Sequence, residues 1–375
     1  MSSDGEGAIV RRRVGTSWRR WALGLGVVAL GCLALQPEGL AQHRRRGRRG
    51  KRLKLAFIVP ENTTWARIME RFDRELQERT GGRLGFRLYL GGVQGDEKVV
   101  LRKIRAGQLD GGGFSAMGIG EIVPEVRLLE VPFQIRDYEE ADLVRAQIDA
   151  HIRARLHDRG YELLSWFELG FVYLFSKRPL RTVEDVRRAK PWVWEGDPLA
   201  TAYFQAFGVD PIPLPLPDVL TSLQTGMIDT VYQSPAVLIG FQWSTKVRYM
   251  TDVPLADASG GLLLKRSVLE RLPEDDRRVL LELAAKYGAE VIRATREENA
   301  RARKQLLAGG IERVEFDPAE RATFERRGRE VSYRLAGEGR GKLFPRAMLD
   351  AMYRLLDEHR AAKAHGGGEA GSSEK

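Results

Sequence analysis

Few residues of this 375-residue chain stand at spacings that could do chemistry. The histidines are His43, His151, His157, His359 and His365, and none pairs with a carboxylate at zinc-site spacing. Asp229 and Glu195 are the candidate acid–base carboxylates. Neither has a second catalytic partner nearby in sequence, so a solvated or hydrogen-bonded structural role fits them better. Residues 111–118 read GGGFSAMG. A nucleophile elbow needs Gly two residues after the serine, and Met117 stands there. A phosphate loop needs a following Lys-Ser/Thr pair, which is missing. Close backbone approach at a strand end, near a ligand or a facing segment, is the remaining reading. The single Cys32 leaves the body no thiol for a disulfide, a nucleophile or a metal. The residues point to binding rather than to an enzyme, and they imply no metal or cofactor.

The charge is concentrated at one end. Residues 1–52 hold 12 Lys/Arg and 3 Asp/Glu, which accounts for nine of the ten net positive charges. The body is close to neutral and gives no support to a nucleic-acid partner. Arg11–Arg20 is basic, 21–35 is apolar, and Pro37 precedes small residues that would allow cleavage after Ala41. That layout predicts a cleaved secretory signal peptide over 1–41 and an exported product. The apolar run is short for a membrane span. Arg19-Arg20 weakly resembles a twin-arginine signal, and the stretch ending at Cys32 is a poor match to a lipoprotein box. Residues 42–52 read as a solvated basic linker.

The body must position any site. Leu53–Val59 reads as a strand, and Thr63 or Thr64 can cap the helix that follows. In that helix Trp65, Ile68, Met69, Phe72 and Leu76 share one face. Residues 84–90 alternate as a strand does, 97–105 are helical, and 109–114 form a third strand. This βαβαβ order predicts a parallel sheet. Further helix is expected at 136–159, strands at 161–167 and 172–175, and a buried strand at 261–264. A long charged helix from Pro273 to about Leu307 could brace two lobes. Residues 343–359 form a last amphipathic helix, followed by a tail expected to be disordered. Lys190–Pro235 reads as strand, helix, helix and strand, suggesting another parallel α/β layer.

Several words within Leu53–Leu307 match one family in order and spacing. They include Thr80-Gly81-Gly82-Arg83-Leu84, Gly107-Gln108-Leu109-Asp110, Ser176-Lys177-Arg178-Pro179-Leu180, Phe207-Gly208-Val209-Asp210-Pro211 and Leu223-Gln224-Thr225-Gly226-Met227-Ile228-Asp229. The chain resembles the DctP-type solute-binding proteins of TRAP (tripartite ATP-independent periplasmic) transporters. The resemblance implies an α/β, two-lobed periplasmic binding protein fold, with a long lobe-spanning helix and a central ligand cleft. It implies lobe I over 53–171 plus 260–290 and lobe II over 172–259 plus 291–335; beyond them the residues themselves predict a C-terminal helix over 336–362 and a disordered tail over 363–375. It implies delivery of a small ligand to TRAP membrane subunits for ion-gradient-driven uptake.

In the family an Arg within K-I-R-V-P usually holds the ligand carboxylate, and a second Arg often precedes the Ser-Lys-Arg-Pro word. Here Trp192 and Val172 stand at those places. A carboxylate without charge-assisted partners is costly to bury. The expected ligand is therefore apolar or amphipathic rather than a dicarboxylate. The expected ligand-binding residues are Trp192, Trp194, Phe171, Val172, Ser115, Asn62, Tyr232 and Gln233. Phe241 and Trp243 read as core. A clamp rebuilt on Arg127 or Arg136 is the rival expectation, and a periplasmic scaffold or hydrolase on the same fold is another. Branches lacking the Arg are associated with a periplasmic tetratricopeptide-type partner.

Overall fold

The computed structural model describes residues 50–369. The expected signal peptide, Cys32, most of the basic linker and the last six residues lie outside that range. The first strand, β1 (Lys51–Ala56), already includes two residues expected in the linker. It is followed by α1 (Thr64–Arg79), β2 (Leu84–Tyr89), α2 (Glu97–Arg105) and β3 (Gly111–Ser115). β1 pairs in parallel with both β2 and β3, as the alternating pattern predicted. Thr63 caps α1 by accepting from Ala66 N at 3.2 Å. The apolar stripe of α1 buries Ile68, Met69, Phe72 and Leu76. Trp65 is half-buried at its edge, with its indole N–H donating to Thr295 Oγ1 at 2.9 Å.

The glycines of β3 serve a facing segment more than a ligand. A Cβ on Gly112 would lie 2.4 Å from Ala56 O, and one on Gly113 would lie 2.5 Å from Phe57 Cδ1. β3 is thus pressed against its neighbours in a way that only glycine allows.

The chain continues through α3 (Ala116–Gly120), a 3-10 turn at Pro124–Glu130, α4 (Tyr138–Asp158) and β4 (Tyr161–Ser176). Two strands were expected where β4 runs as one, bending through irregularities at Leu163/Ser165 and Glu168/Gly170. Next come α5 (Val183–Arg187), β5 (Trp192–Trp194), α6 (Pro198–Ala206), β6 (Ile212–Leu214), α7 (Val219–Thr225), β7 (Thr230–Gln233) and α8 (Pro235–Gly240). Then follow β8 (Tyr249–Thr251), β9 (Ala256–Lys265), α9 (Arg266–Glu270), α10 (Glu274–Ala308), β10 (Glu312–Val314), α11 (Pro318–Leu335) and α12 (Arg346–Glu369). α12 continues past residue 362, where the tail was expected to begin.

The main sheet has the order β10-β8-β4-β9-β3-β1-β2, with β7 also pairing β4. β4 joins its two ends. Residues 161–172 pair antiparallel with β9, and 173–176 pair with β7 and β8. Within the Lys190–Pro235 stretch the pairing is parallel, as expected: β5 pairs β6, and Pro191 bridges Thr230 of β7. β7 joins the main sheet antiparallel to β4. At 16 and 35 residues, β4 and α10 each extend roughly 50 Å, enough to run through both ends of the molecule.

Candidate functional site

Three adjoining cavities open beside the ends of β1 and β3, where parallel sheets usually place ligands. Trp194 lines all three. The inner one, about 100 Å³, lies between the Pro124–Glu130 turn, β5, the start of α6 and β9. The second, about 150 Å³, is walled by Phe57, Trp65, Phe114, Val237 and Phe241. The outermost, about 670 Å³, reaches the Gly91–Lys98 loop and Glu195.

The inner cavity ends on a buried ionic cluster. Arg127 donates from Nη2 to both carboxylate oxygens of Asp197, at 3.0 and 3.1 Å. Its Nε lies 2.7 Å from Glu130 Oε2, an ion pair off the hydrogen-bond direction. Asp197 caps α6 at the same time, accepting from Leu199 N and Ala200 N. Burial would lower the pKa of Arg127, but the two carboxylates more than reverse that and keep it charged. Burial pushes the Glu130 carboxyl up to about 7, against the pull of Arg127. Between this cavity and the next, buried Glu97 accepts from Ser115 N and Oγ, both at 2.7 Å. Burial raises its pKa, and the Ser115 bonds oppose the rise.

Six of the eight expected residues come together here. Ser115, Val172, Trp192, Trp194, Tyr232 and Gln233 all line the inner cavity. Trp192 belongs equally to the core. It is 1% exposed, donates its indole N–H to Leu214 O at 3.0 Å, and stacks on Tyr232 with centroids 5.0 Å apart. Two expected residues lie outside these cavities. Phe171 packs on Tyr138 at 4.7 Å and lines none of the three cavities, because adjacent strand residues face opposite ways and Val172 takes the cavity side. Asn62 is exposed, holds a positive φ of 65° and lies in the loop before α1, outside all three linings.

Phe241 lines the two outer cavities and Trp243 the outermost one, although Trp243 is 1% exposed and packs edge-on against Trp192. Asp229 is structural. It accepts from Lys190 N at 2.7 Å and pairs with Arg178 at 3.1 Å. Arg136 sits near the surface, 3.4 Å from Glu325, and lines none of the three cavities. Glu130 and Asp197 were not foreseen. The sequence signal for Asp197 was its place before Pro198, which marks a helix cap.

The profile of the family described as bacterial extracellular solute-binding protein, family 7 (DctP), matches residues 55–337. The chain belongs to this family. A solute-binding protein of Verminephrobacter eiseniae is 26% identical over 262 residues, covering 69% of this chain and 78% of the relative. The sugar-acid-binding protein DctPAm of Advenella mimigardefordensis, crystallised with galactonate, shares the fold at a TM-score of 0.75 and 17% identity. That alignment covers 83% of this chain and 99% of DctPAm. A TRAP periplasmic solute-binding protein of Chromohalobacter salexigens, crystallised with D-glucuronate, aligns at a TM-score of 0.72 and 21% identity, covering 82% and 99%. Members of the DctP family are periplasmic receptors rather than enzymes. They bind small solutes and work with TRAP membrane subunits.

Proposed function

We propose that this DctP-family receptor captures an amphipathic or largely apolar solute in the cavities around Trp194 and passes it to TRAP membrane subunits. One observation carries the ligand class. Arg127, the cation on the inner cavity's wall, is already held by two carboxylates. An incoming carboxylate would be a third anion sharing that one cation, and burying it without a cation of its own is costly. The aromatic and aliphatic walls instead reward burial of apolar surface. Export by a cleaved signal belongs to the same proposal, as does a tetratricopeptide-type periplasmic partner.

The rival is an organic-acid receptor that uses Arg127 as a rebuilt clamp, favoured by the place of Arg127 on the cavity wall. Native mass spectrometry of the purified protein separates the two. An apolar or amphipathic mass released from the folded protein is the expected result. Thermal stabilisation by D-glucuronate or small dicarboxylates that vanishes in Arg127→Gln, with none by alkyl compounds, would establish the rival instead.

A further inference from the structure

The inner cavity is apolar along Leu169, Val172, Leu199, Phe204 and Leu255, and polar at its far end. At that end acidic groups outnumber cations. Asp197 and Glu130 share one cation, Arg127. Glu97 from α2 stands close enough to add to the field on Glu130. Tyr232 of β7 also lines this space. These are the groups that face Glu130 from the elements around it, and Arg127 alone among them is cationic.

Two further features suit a cation. Trp194 and Tyr232 contribute aromatic surface, whose negative faces attract ammonium groups. Tyr203 also lines the cavity, is 1% exposed, and its hydroxyl has no hydrogen-bond partner. A buried hydroxyl left alone costs free energy that a bound polar group would recover.

We infer that the ligand is an amphiphile with a cationic amine head, seated beside Glu130 and Asp197 against Trp194 and Tyr232, with its tail along the apolar second cavity. This rests on the amphipathic reading of the same cavities. The head stabilises the ionised form of Glu130, so capture releases a proton near neutral pH.

Isothermal titration with decylamine, decanol and decanoate, each below its micellar concentration, tests the head group. Decylamine should bind most tightly and decanoate least. For one proton released by a group titrating near 7, decylamine affinity should rise about tenfold between about pH 6 and about pH 8. Titration in buffers of different ionisation enthalpy reads that proton directly on the unaltered protein. Glu130→Gln, checked for folding by circular dichroism, should remove the pH dependence and narrow the gap between amine and alcohol. Equal binding of decanol and decylamine overturns the cationic head and leaves the amphipathic reading standing. Tightest binding by decanoate overturns the cationic head and, at the same time, the exclusion of carboxylates. Binding of D-glucuronate with no binding of any decyl compound overturns both readings. No binding of any probe overturns the cationic head.

Discussion

At the residue scale, substitution of one clamp position told more than the motifs did. Trp192 in place of a family arginine was visible in the sequence, and so was the loss of the usual carboxylate partner. What the sequence did not show is that Arg127 arrives at the cavity already paired. That pairing joins residues 70 positions apart, and only the fold brings the Pro124–Glu130 turn to the cap of α6. Phe171 and Val172 illustrate a second limit. Both are apolar neighbours, and which one faces the cavity depends on strand register, which an apolar run does not fix. The cluster makes a prediction of its own. Arg127→Gln leaves Asp197 and Glu130 buried without a cation and should cost about 3–5 kcal/mol in alkaline buffer. Glu130 already titrates above its unfolded value, and losing Arg127 raises it further. An acid with a raised native pKa binds its proton more tightly when folded, so its contribution is full below the unfolded pKa and is lost as pH rises from there through the native pKa. The deficit of the variant should therefore shrink in mildly acidic buffer. Urea denaturation of both proteins on either side of neutrality measures this, and a deficit that does not change with pH would contradict it.

At the element scale the sequence was legible where periodicity is strong. The βαβαβ start and the long α10 follow from regular apolar spacing. β6 was missed because Pro211, Pro213 and Pro215 mimic a loop, although a three-residue strand in a two-stranded sheet tolerates them. β4 was split at Gly170 because a glycine in an apolar run reads as a break, whereas here it absorbs an irregularity within one strand. The packing of α10 on β4 was not legible at all. It depends on Gly288, where a Cβ would lie 2.5 Å from Ser165 Cβ and 3.3 Å from Trp166 O. The strand backbone cannot yield far there, because Trp166 is paired with Gly261 of β9. Gly288→Val should therefore push α10 off β4 and cost about 1–3 kcal/mol, the usual range for overpacking. Glu297→Val, on the exposed face of the same helix, is the control and should change stability by no more than about 0.5 kcal/mol. Equal losses in chemical denaturation would mean that the helix does not lie close to the strand.

At the scale of the whole molecule, α4, β4, β9 and α10 meet at one buried charge centre. Glu168 is fully buried and accepts from Arg296 Nε at 2.9 Å, while Arg145 lies 3.9 Å away. Arg296 also pairs with Asp142 at 2.6 Å and covers the Tyr138 ring at 4.3 Å. Asp257, 1% exposed, completes the group from β9. One oxygen of Glu168 and one of Asp257 lack partners, an arrangement that a shared proton would satisfy. Burial, and then the neighbouring Glu168, hold the Asp257 carboxyl well above its ordinary range. Strand patterning could not reveal this, since an acid inside an apolar strand reads only as an interruption. β4 passes from one end of the sheet to the other through this centre, and Asn299 of α10 ties Leu169 O to Ala236 N beside it. Its ionisation therefore acts on the junction of the two ends. The native state keeps a proton on Asp257 that the unfolded chain gives up at lower pH, so stability falls as pH rises through the native pKa. Asp257→Asn keeps the shape and removes the charge. Its melting temperature should equal or exceed that of the unaltered protein in alkaline buffer and should vary less with pH. A variant with the same pH slope would place the titrating group elsewhere.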